Sequence, residues 1–272
     1  MTKVTDTELK KAALQEHTKK SNFPTEVIDL PSKGLLYPEE HPLRDGKIEI
    51  RYMTAKDEDI LTTQSLIKKM VVIDKLLESI IVTPINMNDL LIGDKNAIMI
   101  STRILGYGAK YNASIICPNC GFKNKKIVDL NALEHKPIDE SLYKNGNEFS
   151  FELPNAKSKL KFKLLTHLDN KLIDREIEKT KINLKKSGIE GIDSSLTTRL
   201  SSSITLVDGN DDLKYIKEFV DTMLSSDSRA LRSYISEVSP DVDMDILFDC
   251  DDCGEEDMVR LVPDVEFFWP GV

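Results

Sequence analysis

Four cysteines are the residues of this chain whose type and spacing could do chemistry. They occur as two copies of one motif, Cys117-Pro118-Asn119-Cys120-Gly121 and Cys250-Asp251-Asp252-Cys253-Gly254. Two thiolates placed two residues apart can grip one tetrahedral ion when the chain turns back sharply between them. The glycine after the second cysteine supplies the positive φ that such a turn often needs. Every cysteine of the chain is used and none is left over, which favours a shared metal site over free thiols. Four sulfur ligands suit structural zinc, because they close the coordination sphere and leave no position for a reactive water. The same ligands could hold an iron–sulfur cluster, and the sequence does not separate the two. A thioredoxin-type pair would open a helix, whereas strand-like runs flank both motifs. Disulfides are disfavoured if the chain is cytosolic.

No other reactive group falls into a constellation. His17, His41, His135 and His167 are scattered, and none lies in a His-x-x-x-His or Gly-x-Ser-x-Gly context. Gly106 and Gly108 are followed by no phosphate-binding lysine. The expectation is a protein without catalysis and without a small-molecule substrate. Charge points the same way. The formal net charge is -9, and residues 237–272 carry twelve acidic side chains against one basic one, Arg260, which leaves the remainder close to neutral. Affinity for nucleic acid rests largely on lysine and arginine displacing counterions from phosphate. Lys123, Lys125 and Lys126 follow the first motif, but Asp249, Asp251, Asp252, Glu255, Glu256 and Asp257 surround the second. A zinc-ribbon nucleic-acid-binding module is therefore the weaker alternative. The acidic end reads either as a solvated face or as a surface that steers toward a basic partner. Apolar runs stay far below the roughly 20 residues that span a bilayer, and the N-terminus has no apolar signal region. These features predict a cytoplasmic protein with no membrane insertion.

The elements that must position the cysteines read as α+β, mainly helical, with β-hairpins and a split four-cysteine zinc-ribbon module. Between Cys120 and Cys250 lie 129 residues, against fewer than about 25 in common zinc-finger spacings. The two halves of the ribbon, 111–130 and 248–262, must therefore bracket an insertion of hairpin and helices, 131–247. Ahead of them come an N-terminal arm, 1–22, and an extended segment plus helical region, 23–110. Helices are expected at 55–62, 68–82, 87–92, 94–107, 168–186, 195–204, 211–224 and 226–238. Alternation of Phe149, Phe151 and Leu153, then of Leu160, Phe162 and Leu164, predicts a hairpin. The stretch 30–53 is dense in proline and glycine, which disfavours a buried core strand and leaves a rim loop, a docking arm or an ordinary irregular connection. The chain ends on an aromatic tail, 263–272, in which Phe267, Phe268 and Trp269 are either folded back or exposed as a partner-binding patch.

Three stretches together resemble the baseplate hub proteins of T4-type contractile-tailed bacteriophages, a family with a hub subunit and a hub-assembly factor. They are Leu30-Pro31-Ser32-Lys33-Gly34-Leu35-Leu36-Tyr37-Pro38 leading to Tyr52-Met53-Thr54-Ala55-Lys56-Asp57-Glu58-Asp59, the two cysteine motifs, and Glu266-Phe267-Phe268-Trp269-Pro270. The resemblance covers the chain from about residue 23 onward. It implies a structural or assembly role in the hub, other tail and baseplate hub proteins as partners, and a location in the host cytoplasm during assembly and then in the virion tail. A tail-assembly chaperone absent from the mature virion is the alternative that the same resemblance allows.

Overall fold

The computed structural model describes residues 23–68, 71–186, 193–262 and 266–268. The N-terminal arm, Met70 of the expected second helix, and Trp269 lie outside them. The described chain opens on an antiparallel pair, β1 (Thr25–Asp29) and β2 (Lys47–Arg51). Alternation in β2 sends Ile48 and Ile50 fully into the core.

The stretch 30–53, expected to be too proline-marked for a buried core strand, does contain one, β2, and the loop that precedes it also packs into the core through its apolar residues. Leu30, Leu36, Tyr37 and Leu43 are all buried. An irregular buried loop needs partners for its backbone polar groups, and two side chains supply them. The Arg44 guanidinium donates to the carbonyl oxygens of Leu35 and Tyr37 at 3.0 and 2.9 Å. Asp94, fully buried, accepts from the Ser32 amide at 3.0 Å, the Ser32 hydroxyl at 2.7 Å and the Tyr37 hydroxyl at 2.7 Å. The Tyr37 oxygen in turn accepts from the Leu91 amide at 3.1 Å. Burial pushes the Asp94 carboxyl above its ordinary value, against the pull of its hydrogen bonds from Tyr37 and Ser32.

Four helices follow: α1 (Ala55–Thr62), α2 (Gln64–Lys68), α3 (Val72–Ile80) and α4 (Ile92–Tyr107). The expected helix over 68–82 is cut short because Ile81 pairs with Ile50 and the Val82 amide donates to the Glu49 carbonyl at 2.9 Å. That pairing draws the chain out of the helix and onto β2. The expected helix over 87–92 is a single turn, Met87–Asp89, after which Leu91 pairs with Thr166. Asp57, inside the first turn of α1, ties the region together. It accepts from the Thr54 amide and hydroxyl, from both forks of Arg51 at 2.8 Å, and from Ser79.

Two hairpins carry the cysteines: β3 (Lys110–Ile116) with β4 (Lys123–Asp129), and β8 (Asp245–Asp249) with β9 (Glu256–Arg260). Between them β5 (Phe149–Glu152) and β6 (Lys159–Phe162) form the expected hairpin and gain a third strand, β7 (Ile204–Val207). Ile204 had read as the end of a helix. Helix α6 (Ser195–Ser203) stops one residue earlier, and the apolar Ile-Thr-Leu-Val run that follows takes the free edge of β6. Helices α5 (His167–Lys186), α7 (Leu213–Asp221) and α8 (Ser225–Val238) complete the insertion. One contiguous core runs from β1 and β2 through α4, the cysteine hairpins, the β5–β7 sheet, α7 and α8, and includes Cys117 and Cys250.

Removal of the Asp94 carboxylate strands the hydroxyls of Ser32 and Tyr37 in the core. Asp94→Ala should lower unfolding stability by about 3 kcal/mol, and Tyr37→Phe by about 1 kcal/mol, in urea titrations. Acid stability has a separate origin. Burial raises Asp57 and Asp74, but the Arg51 fork on the first, and His167 and Lys95 on the second, hold both carboxyls well below the ordinary range. The folded chain then binds fewer protons, so this stability is present above about pH 4 and is lost as the pH falls further. The urea midpoint should drop on acidification below about pH 4, and drop less steeply in Asp57→Asn.

Candidate metal centre

Each cysteine motif sits at the tip of its hairpin and is closed by the same two backbone bonds. At the first, the Gly121 amide donates to the Cys117 carbonyl at 2.9 Å and the Cys117 amide to the Phe122 carbonyl at 2.9 Å. At the second, the Gly254 amide donates to Cys250 at 3.0 Å and the Cys250 amide to Glu255 at 2.9 Å. Gly121 and Gly254 adopt φ of 75° and 71°, the left-handed region that glycine enters without strain. The two turns are copies of one another, as the repeated motif predicts.

The structure brings all four cysteines together. Their sulfur atoms lie within 4.8 Å of one another. The pairs that cross between hairpins are short, Cys117 to Cys253 at 3.7 Å and Cys120 to Cys250 at 3.6 Å. A tetrahedral ion with zinc–sulfur bonds near 2.3 Å sets its ligand sulfurs about 3.8 Å apart, so the donor set has the right size and chemistry for such an ion. These separations are far beyond the roughly 2.05 Å of a disulfide. The amides of Cys253 and Asp252 point at the Cys250 sulfur and hold its thiol down at about 6. Cys120 behaves in the opposite way. The Phe122 amide favours its thiolate, but burial and the three neighbouring sulfurs override this and push it up to about 12. Four sulfurs this close cannot all carry charge unless a cation sits among them.

Residues outside the motifs position the two halves, and sequence reasoning missed them. Asn124, buried on the inner face of β4, accepts from the Asp251 amide at 2.8 Å. Its own amide donates to the Phe122 carbonyl at 3.1 Å and lies 3.6 Å from the Cys250 sulfur. One side chain thus fastens the first hairpin to the second turn. The available signal was an asparagine at an inward position of a strand next to a cysteine turn. Lys126, on the same face, pairs with Asp249 at 3.0 Å and Asp251 at 2.6 Å. Arg103 of α4, itself buried, fixes the base of the first hairpin through the Gly108 and Lys110 carbonyls and also donates to the Phe267 carbonyl at 2.9 Å. Phe267 and Phe268 lie in a short turn, Glu266–Phe268, and are 2% and 1% exposed. The Phe267 ring packs on Tyr111 with centroids 5.0 Å apart. Of the histidines, His17 lies outside the described residues, His41 and His135 are not among the grouped metal-ligating side chains, and His167 is buried beside Asp74 at 3.2 Å.

Helices around small antiparallel sheets, with four cysteines converging from two distant hairpins, define an α+β protein with a split ribbon-like module. The family described as T4 bacteriophage base plate protein matches residues 25–269, and this chain belongs to that family. No curated protein and no solved structure gives a significant match. Among the described residues no helix is long and apolar enough to cross a membrane.

The Asn124 bridge can be tested without touching a cysteine. Asn124→Ala should cost about 1–3 kcal/mol in chemical denaturation, the range for losing buried hydrogen-bond partners. Gly254→Ala meets no steric obstacle within 4 Å, so it should cost only the backbone strain of a positive φ, about 1 kcal/mol.

Proposed function

We propose that this chain is a structural or assembly protein of the central hub of a contractile-tail baseplate, that it catalyses no reaction, and that one zinc ion bound by Cys117, Cys120, Cys250 and Cys253 staples it. Membership of the base plate family supports the setting, and the stretches at 30–38 and 52–59 support the hub. The observation that carries the zinc is the convergence of four sulfurs within 4.8 Å from segments 129 residues apart. A closed four-sulfur shell serves a structural ion, because no coordination position is left for substrate or water. Its work here is cross-linking. Tying a loop of this length is worth about 4–5 kcal/mol in the chain-entropy model, on the scale of the whole stability of an ordinary domain, about 5–15 kcal/mol.

The tail and the charge distribution fit the same role. Burial of Phe267 and Phe268 in this chain's own core supports an anchoring role for the tail over docking through those two rings. Contact with other baseplate proteins then falls to the remaining surface. A nucleic-acid-binding ribbon is disfavoured because Lys126 is engaged by Asp249 and Asp251, and the second turn is ringed by further carboxylates.

Protein purified without added metal should give a zinc-to-protein ratio near one by elemental analysis. Cys117→Ser and Cys250→Ser should destabilise it by similar amounts, several kcal/mol each, since either opens the same site. Metal-free protein with an unchanged melting temperature, or an iron-type visible absorbance, would refute the zinc assignment. Mass spectrometry of purified virions decides the fate of the protein: recovery supports a hub subunit, and absence from particles with complete hubs supports an assembly chaperone.

A further inference from the structure

The two cysteine hairpins share one architecture but carry opposite charge on their outward faces. On the first, the inner positions Ala113, Ile115 and Asn124 are buried, and the strand alternation turns Lys123 and Lys125 outward, opposite Ile116 and Ser114. Ile127 lies one step further along the same face. Ile116 and Ile127 are 66% and 71% exposed. On the second hairpin, Phe248 points inward and Leu247 stands outward, directly opposite Met258. These two are 72% and 58% exposed. The next pair toward the turn is Asp249 with Glu256, and the pair on the other side is Asp245 with Arg260.

Single exposed apolar residues are ordinary. A cross-strand pair of them framed by carboxylates is more informative when the sister hairpin presents isoleucines framed by lysines. Among the described residues Lys123, Lys125 and Glu256 take part in no ion pair, so these charges remain free for a partner.

We propose that the outer face of β8–β9 binds the outer face of β3–β4 on a second copy of this chain. Leu247 and Met258 cover the exposed side chains of Ile116 and Ile127, which flank the Ser114–Lys125 pair, and the carboxylates meet Lys123 and Lys125. The contact is head-to-tail, since the two faces differ, and each copy keeps one of each face open for the next. Repetition closes a ring if the rotation allows it and otherwise extends a chain. Two strands of five to seven residues offer on the order of 200–300 Å² per copy, below the roughly 800 Å² per partner of a stable complex. Association is therefore weak for isolated chains, with a Kd of about 10⁻⁵–10⁻⁴ M, and strengthens where other contacts hold copies side by side.

The test is sedimentation of the full-length, metal-loaded protein from about 5 to 300 μM at low and high salt, since exposed charge pairs weaken as salt rises. The average mass should rise with concentration at low salt and fall back at high salt. Lys123→Glu/Lys125→Glu makes both faces acidic, and Asp245→Lys/Glu256→Lys makes both basic. Each double variant alone should be monomeric, and an equimolar mixture should associate again. Leu247→Ser, a change confined to an exposed side chain on the outer face of β8, should weaken wild-type association at least fivefold. Wild type that stays monomeric at 300 μM in low salt overturns the proposal. So does association unchanged in both variants, or a mixture of folded variants that fails to associate. None of these outcomes bears on the zinc stoichiometry or on the hub assignment.

Discussion

Four sulfur atoms within 4.8 Å of one another are the constraint around which the other parts are arranged. Neutral thiols gain little from such crowding, and four thiolates repel one another strongly at that range. The arrangement is favourable when a cation neutralises it. The pull of the Cys253 amide on Cys250 and the opposing push of the sulfurs on Cys120 are two sides of this frustration. The centre needs two hairpin tips held face to face. The chain therefore commits α4, Arg103 and the Asn124 bridge to one tip, and the segment after α8 to the other.

A second theme is that irregular backbone is buried only where side chains replace lost water. Asp94 and Arg44 do this for the loop between β1 and β2. Asp227, fully buried in the first turn of α8, does it for the β5–β6 turn through the amides of Asn155 and Ala156 at 2.9 and 3.0 Å. Arg103 serves the tail in the same way. Such groups add modest net stability when satisfied and cost much more when one partner is removed. Their effect is to make one arrangement of the loops preferable to the alternatives.

These features suit a protein of an assembly. A small sheet module with two differently charged faces is fastened to a helical body by an inserted segment. The polar clamps oppose relative movement of its two halves, and an ion held by the four cysteines would add to them. Rigidity of this kind presents fixed surfaces to neighbours.

The two Cys-x-x-Cys-Gly turns, their shared geometry and the α+β character were legible in the sequence, because each is a local property: a turn that needs positive φ, strands that alternate, helices that repeat. The long spacing between the motifs already required that the module be split. Long-range competition settled the rest. The proline-rich stretch 30–53 looked too irregular to bury, and only the approach of Asp94, some sixty residues later, makes its burial affordable. Ile81 left its helix for Ile50, and Ile204 left its helix for β6. Asn124 and Arg103 are unremarkable in sequence, since their roles depend on what lies across the fold. Local periodicity determines which elements form, and tertiary hydrogen bonding decides where they stop and which polar groups can be buried.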